Sequence, residues 1–152
     1  MKDAIGGSLL LNIVVIFTSI IILFFVTMLA YTKAYKIKNR IIEVIEKNEK
    51  YDGIVTRTQL NDDLRRAGYI TATKDEIDKK CNEKNLNSLA PGETGYLYCV
   101  YCKDYNEATG TCAQETTYEV VTYIHFNLPI IGNMMTFAVK GETKTLGRVY
   151  DY

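Results

Sequence analysis

Residues 8–31 read SLLLNIVVIFTSIIILFFVTMLAY, and this stretch decides the architecture. No charged side chain occurs from residue 4 to residue 32. A helix rises about 1.5 Å per residue, so roughly 20 apolar residues cross a hydrocarbon core of about 30 Å. The run clears that length. Its interior polar residues, Asn12, Thr18, Ser19 and Thr27, are uncharged, and a hydroxyl can bond back to a carbonyl of its own helix. A buried core helix does not fit, because a domain of roughly 100 residues cannot cover so long an apolar cylinder on every side. A cleavable secretory signal has an apolar region of about 7–15 residues ending in a small-residue cleavage site. Here the run is longer and is followed by TKAYKIKNR. It reads as a retained, single-pass membrane helix.

Beyond the run, Ala34, Ile37, Ile41, Val44 and Ile45 recur at three- and four-residue intervals with polar residues between them. Neither Gly nor Pro intervenes between Gly7 and the turn signal Asp52-Gly53, which predicts one continuous helix from about residue 4 to residue 50. Its second half is amphipathic, as a spine with a domain along one face would be. The chain therefore divides into a short leader-like segment (1–7), a transmembrane helix (8–31), its amphipathic continuation (32–50) and a small α+β domain (51–152).

Within that domain, Thr56-x-x-Gln59 and Thr73-x-x-Glu76 fit the capping-box pattern and predict two short helices, the first stopped at Gly68. Pro91-Gly92 marks a turn in NSLAPGETG. YLYCVYC, TTYEVVTYIHFNL and MTFAVKGETKTLGRVY read as strands, with LPIIGN as a hairpin loop and Lys140-Gly141 as a bulge or turn. Tyr118, Val120, Ile124 and Phe126 fall on one strand face. The expected fold class is α+β: a long transmembrane and amphipathic spine helix, with a small antiparallel sheet packed on its C-terminal half.

Cys81, Cys99, Cys102 and Cys112 all lie in the domain. An even number in a small domain suggests two disulfides in an oxidising compartment; free thiols and a zinc site are the alternatives. Cys99 and Cys102 stand three apart in a strand and point to opposite faces, so they favour separate partners. Cys81–Cys99 and Cys102–Cys112 is the expected pairing, the second clamping KDYNEATGT. The membrane-flanking charges argue the other way. Lys33, Lys36, Lys38 and Arg40 follow the span and only Lys2 precedes it, which by the positive-inside rule would place the domain in the cytoplasm. Glu43 and Glu46 lie near enough to neutralise some of these cations, and the cysteine pattern takes precedence. The domain is expected outside the cytoplasm.

An apolar N-terminal helix that runs on as an amphipathic spine into a small cysteine-stapled sheet resembles a type IV pilin-like subunit, most nearly the TadE-like minor pilins of tight-adherence pili. IHFNLPIIGNMMTFAVKGET is similar to the C-terminal strands of such proteins. MKDAIGG resembles a leader cut by prepilin peptidase after Gly7, which would make Asn12 the fifth residue, where pilins usually carry Glu. The resemblance implies a structural, non-enzymatic subunit in the cell membrane or an extracellular filament. Its partners would be membrane lipid and other pilin-like subunits, met through the helix at Asn12, Thr18 and Ser19.

Other function classes find little support. Net charge is zero with no basic excess, so no nucleic-acid partner is expected. No catalytic set, metal motif or phosphate-binding loop is present, so no catalytic residue, metal or cofactor is assigned. The single histidine, His125, sits mid-strand and reads as a surface or satisfied residue. Tyr96, Tyr98, Tyr101, Tyr105, Tyr118 and Tyr123 read as sheet packing ahead of an adhesive face. The rival function is a membrane-anchored binding or sensor module that forms no filament.

Overall fold

The structure, a computed structural model, describes residues 2–49, 51, 55–87, 89, 92–126 and 135–147. Helix α1 runs unbroken over Lys2–Lys47. It ends as the Asn48 amide and side chain both donate to the Val44 carbonyl, at 3.1 and 2.9 Å, and Glu49 turns into the left-handed region at φ 56°. Along its second half Ala34, Ile37, Ile41, Val44 and Ile45 are buried. Removing such side chains from water stabilises by about 1.5–3 kcal/mol for each large one.

The remaining elements follow in chain order: α2 (Val55–Arg66), β1 (Thr71–Thr73), α3 (Lys74–Lys80), β2 (Thr94–Tyr96), β3 (Tyr98–Cys102), β4 (Tyr105–Asn106), β5 (Thr111–Cys112), β6 (Tyr118–Phe126) and β7 (Met135–Glu142). Helix α2 stops where expected. Gly68, at φ 57°, donates to the Arg65 carbonyl and Tyr69 to the Leu64 carbonyl, both at 3.0 Å, which satisfies the last turn. At α3, the Glu76 carboxylate reaches back 2.8 Å to the Thr73 amide, as the second capping box predicts. Thr56 is different. It lies inside α2, buried, and its hydroxyl has no hydrogen-bond partner among the described residues. The helix begins before it, so Thr56 is not the cap.

The main sheet has the order β3-β6-β7, antiparallel throughout, and β1-β2 and β4-β5 form two small ribbons. Strand β6 is central and both of its faces are covered. Tyr118, Val120, Thr122 and Ile124 face α1, whereas Val121 and Tyr123 join Ala72, Ile77, Cys81, Leu97 and Cys99 under α3 and β1. A one-faced sheet on a spine therefore becomes three layers. The outer edge of β3 is sealed by side chains: Asn85 accepts from the Val100 amide at 3.0 Å, and Asn87 donates to the Tyr98 carbonyl at 2.8 Å.

Two expectations within the strands are corrected. Residues 96–102 are not one strand. Leu97 is buried, its amide donates to the Ile70 carbonyl, and the chain bends there from the β1-β2 ribbon into the main sheet. Lys140-Gly141 is neither bulge nor turn, because Gly141 pairs regularly with Val120. A Cβ there would lie 2.7–2.9 Å from the end of the Lys38 side chain, so the glycine makes room for a buried lysine stem. The expected turns at Asp52-Gly53 and LPIIGN lie outside the described residues, as do Pro91 and the side chains of His125 and Phe126.

Buried tyrosines tie the layers together. The Tyr69 hydroxyl bonds the Leu97 carbonyl at 2.8 Å and the Tyr123 carbonyl at 3.0 Å, and it accepts from the Tyr123 amide at 2.8 Å. Replacing it by Phe strands buried backbone groups, each costing about 1–3 kcal/mol. Tyr69→Phe should lower the unfolding free energy by about that amount in urea melts, with the fold retained. Tyr51 and Tyr98 meet hydroxyl to hydroxyl at 3.2 Å. Burial pushes Tyr51 up to about 12 from 10.0, and it raises Tyr98 and Tyr69 as well. These phenols are neutral when protonated and ionise more easily unfolded, so their contribution is complete below pH 10 and is lost as pH rises through about 12. Circular dichroism should show sheet loss coinciding with the late fraction of tyrosinate absorbance. An intact sheet with every tyrosine ionised near pH 10 would contradict this.

Candidate functional site

The feature that demands a partner is the N-terminal half of α1. From Leu9 to Leu29 its large apolar side chains are exposed, apart from the half-buried Leu23. Its most apolar window is not covered by the domain at all, and it is the one helix among the described residues long and apolar enough to cross a membrane. Each such side chain left in water forgoes about 1.5–3 kcal/mol relative to burial.

Polar groups on this surface fall into two kinds. Thr18 donates to the Val14 carbonyl, Ser19 to Val15, Thr27 to Leu23 and Thr32 to Met28, each at 2.8 Å. Their protons are already used, and only acceptor capacity remains for a neighbouring helix. Asn12 is exposed and makes no hydrogen bond among the described residues, so its amide keeps both donors and its acceptor. Asn12 and Ser19 lie about two turns apart on one stripe of the helix, whereas Thr18 is rotated about 100° from Ser19. The helix thus brings two of the three candidate assembly residues together and leaves the third aside.

The cations after the apolar run have structural uses. Lys33 Nζ donates to the Gly68 carbonyl at 2.7 Å, closing the C-terminal end of α2 where a positive charge is favoured. Lys38 lies over the Tyr35 ring, with Nζ 4.3 Å from its centroid. Arg40 bridges Glu43 and Asp63, both at 2.9 Å, and the two carboxylates hold its guanidinium above its ordinary pKa. The partners expected from spacing, Glu43 and Glu46 for Lys36 and Lys38, are therefore replaced: Glu43 takes Arg40, and Glu46 accepts from the Lys144 amide at 2.9 Å. Such contacts with the folded domain have no signature in local spacing.

Cys81 is bonded to Cys99 and Cys102 to Cys112, with Cα separations of 5.7 and 6.1 Å. Cys99 faces the α3 layer and Cys102 the α1 layer, so each half of the sheet has its own staple. The second closes the β4-β5 ribbon, and Cys112 is only half-buried. None of the six tyrosines considered for an adhesive face is exposed. Tyr98, Tyr118 and Tyr123 are buried, and Tyr96, Tyr101 and Tyr105 are half-buried.

No family model matches this chain, and no curated protein or solved structure matches it.

Partial reduction followed by alkylation should label Cys102 and Cys112 before Cys81 and Cys99, because both sulfurs of the latter pair are buried. Full reduction should lower stability by about 2–3 kcal/mol per bridge in the chain-entropy picture. Labelling of all four cysteines without reductant would contradict the staples.

Proposed function

We propose that this chain is a structural, non-enzymatic subunit of a bacterial pilus or pilus-like secretion assembly, of minor-pilin or pseudopilin type. It is held in the cell membrane by α1, with residues 51–152 outside the cytoplasm. One observation carries the reading. A single unbroken helix is bare and apolar over its first half and forms the core of the domain over its second. Such a helix moves from lipid to a filament interior without refolding, since only its bare half exchanges partners.

Lipid tails are as apolar as leucine, so that exchange gains little from hydrophobicity and depends on close packing and interhelical hydrogen bonds. Asn12, with unfilled bonding capacity on the same stripe as Ser19, is the group suited to supply one. The two disulfides favour an oxidising compartment, and the structural use of Lys33, Lys38 and Arg40 supplies a reason for their presence other than retaining the domain inside.

One observation favours the rival, an anchored extracytoplasmic binding or sensor module. Thr18 and Ser19 bond to their own helix and ask nothing of a neighbour. Asn12→Leu separates the two readings. In an assembling subunit it should leave the protein folded and membrane-inserted, while reducing its recovery in sheared surface filaments several-fold. A sheared fraction that never contains the unaltered chain, from cells that do make pili, would sink the pilin reading and leave the anchored module.

A further inference from the structure

Helix α3 packs on only part of the sheet face that is turned away from α1. Cross-strand register places Tyr101 opposite Glu119, Val121 opposite Lys140 and Tyr123 opposite Ala138 on that face, and Ala138 and Lys140 are exposed. Where α3 ends, at Lys80, an open groove of about 340 Å³ remains between the sheet and the segment that carries Asn82. That volume lies within the range of small-ligand sites, roughly 300–1,000 Å³. The groove has an apolar floor in Val121 and Ala138, and the rings of Tyr101 and Tyr123 border it. Its polar groups are unequally satisfied. Lys140 Nζ lies 3.1 Å from Glu119, and Lys84 is paired with Glu107. Lys80 has no carboxylate within ion-pair distance among the described residues. The Tyr123 hydroxyl is in use, donating to the Lys80 carbonyl at 2.8 Å. The Tyr101 oxygen accepts from the Asn82 amide at 3.1 Å, and its own proton has no acceptor among the described residues. One ammonium and one phenol proton thus line the groove as donors with nothing to donate to.

We infer that this groove binds an acidic saccharide, with its carboxylate held by Lys80 and the Tyr101 hydroxyl and the C–H face of its ring on Val121 and Ala138. Two donors without an acceptor select an anion. An apolar floor bordered by phenol rings selects a group that is apolar on one face and polar at its rim, as a pyranose is. Lys140 keeps donors beyond its bond to Glu119, and these suit the ring hydroxyls. The groove lies across the sheet from α1, so binding there does not depend on what α1 packs against. The inference holds for a filament subunit and for an anchored module alike.

The full chain, held in phosphatidylcholine discs, would be titrated with trigalacturonate, with the neutral trimer maltotriose and with succinate. Trigalacturonate should bind, and the other two should bind several-fold more weakly. Lys80→Gln and Tyr101→Phe should each weaken trigalacturonate about three- to tenfold, with circular dichroism unchanged. Lys79→Gln removes the same charge from the neighbouring residue, outside the groove lining, and should leave binding within about twofold, because exposed charges beyond a contact are screened. Absence of trigalacturonate binding overturns the inference. Equal weakening by Lys79→Gln and Lys80→Gln would reveal a diffuse charge effect and overturn it too. Succinate binding as tightly as the trimer would reduce the groove to an anion site and overturn the saccharide, and maltotriose binding as tightly would overturn the selection for acid.

Discussion

The seam between the second half of α1 and strand β6 is the constraint on which the rest depends. Ile37, Ile41, Val44 and Ile45 present one stripe at the helical period, and Tyr118, Val120, Thr122 and Ile124 present one face at the strand period. A shift of one residue in β6 would turn its other face to the helix, and every strand paired to it would lose register. A three-stranded sheet whose longest strand has nine residues is near the lower limit of independent stability, and it needs a helix to pack on. The spine is therefore half of the core. Helix α1 and the sheet form one folding unit.

The second cover on β6 follows from the same shortage of core. A domain of about 100 residues buries a modest share of its surface, and α3 with the β1-β2 ribbon supplies a further apolar layer. The disulfides reinforce each side separately. Strand parity sends Cys99 to the outer layer, where Cys81 follows α3, and Cys102 to the spine side, where Cys112 ends the β4-β5 ribbon. Tyrosines do related work between layers, because a phenol fills apolar space and still satisfies backbone groups that the irregular ribbons leave unpaired.

Function on this reading is a matter of which surfaces stay bare. Among the described residues the domain leaves no tyrosine exposed and seals one sheet edge with Asn85 and Asn87, so the large apolar surface left bare is the first half of α1. The cations at the boundary show how a charge pattern acquires two meanings. Lys33 and Arg40 hold α2 to the spine through Gly68 and Asp63, and the same residues enter any count of charges flanking the apolar run.

Much of the fold was legible in the sequence because it rests on local periodicity. The unbroken helix followed from an absence of breakers, the end of α2 from Gly68, the start of α3 from Thr73 and Glu76, and β6 and β7 from alternation. Strand parity in YCVYC likewise separates Cys99 from Cys102. What the tertiary structure decided depends on residues far apart in the chain. Leu97 leaves its strand because Ile70 offers a bond, and Gly141 is needed because Lys38 lies across it. Lys33, read as a flanking charge, caps a helix that begins some twenty residues later. Thr56 matches the capping pattern but lies within α2, where a pattern of hydroxyl and Gln does not distinguish the cap from the first turn. Periodicity is a property of neighbours in sequence, whereas exposure and close approach are set by whichever distant element occupies the space.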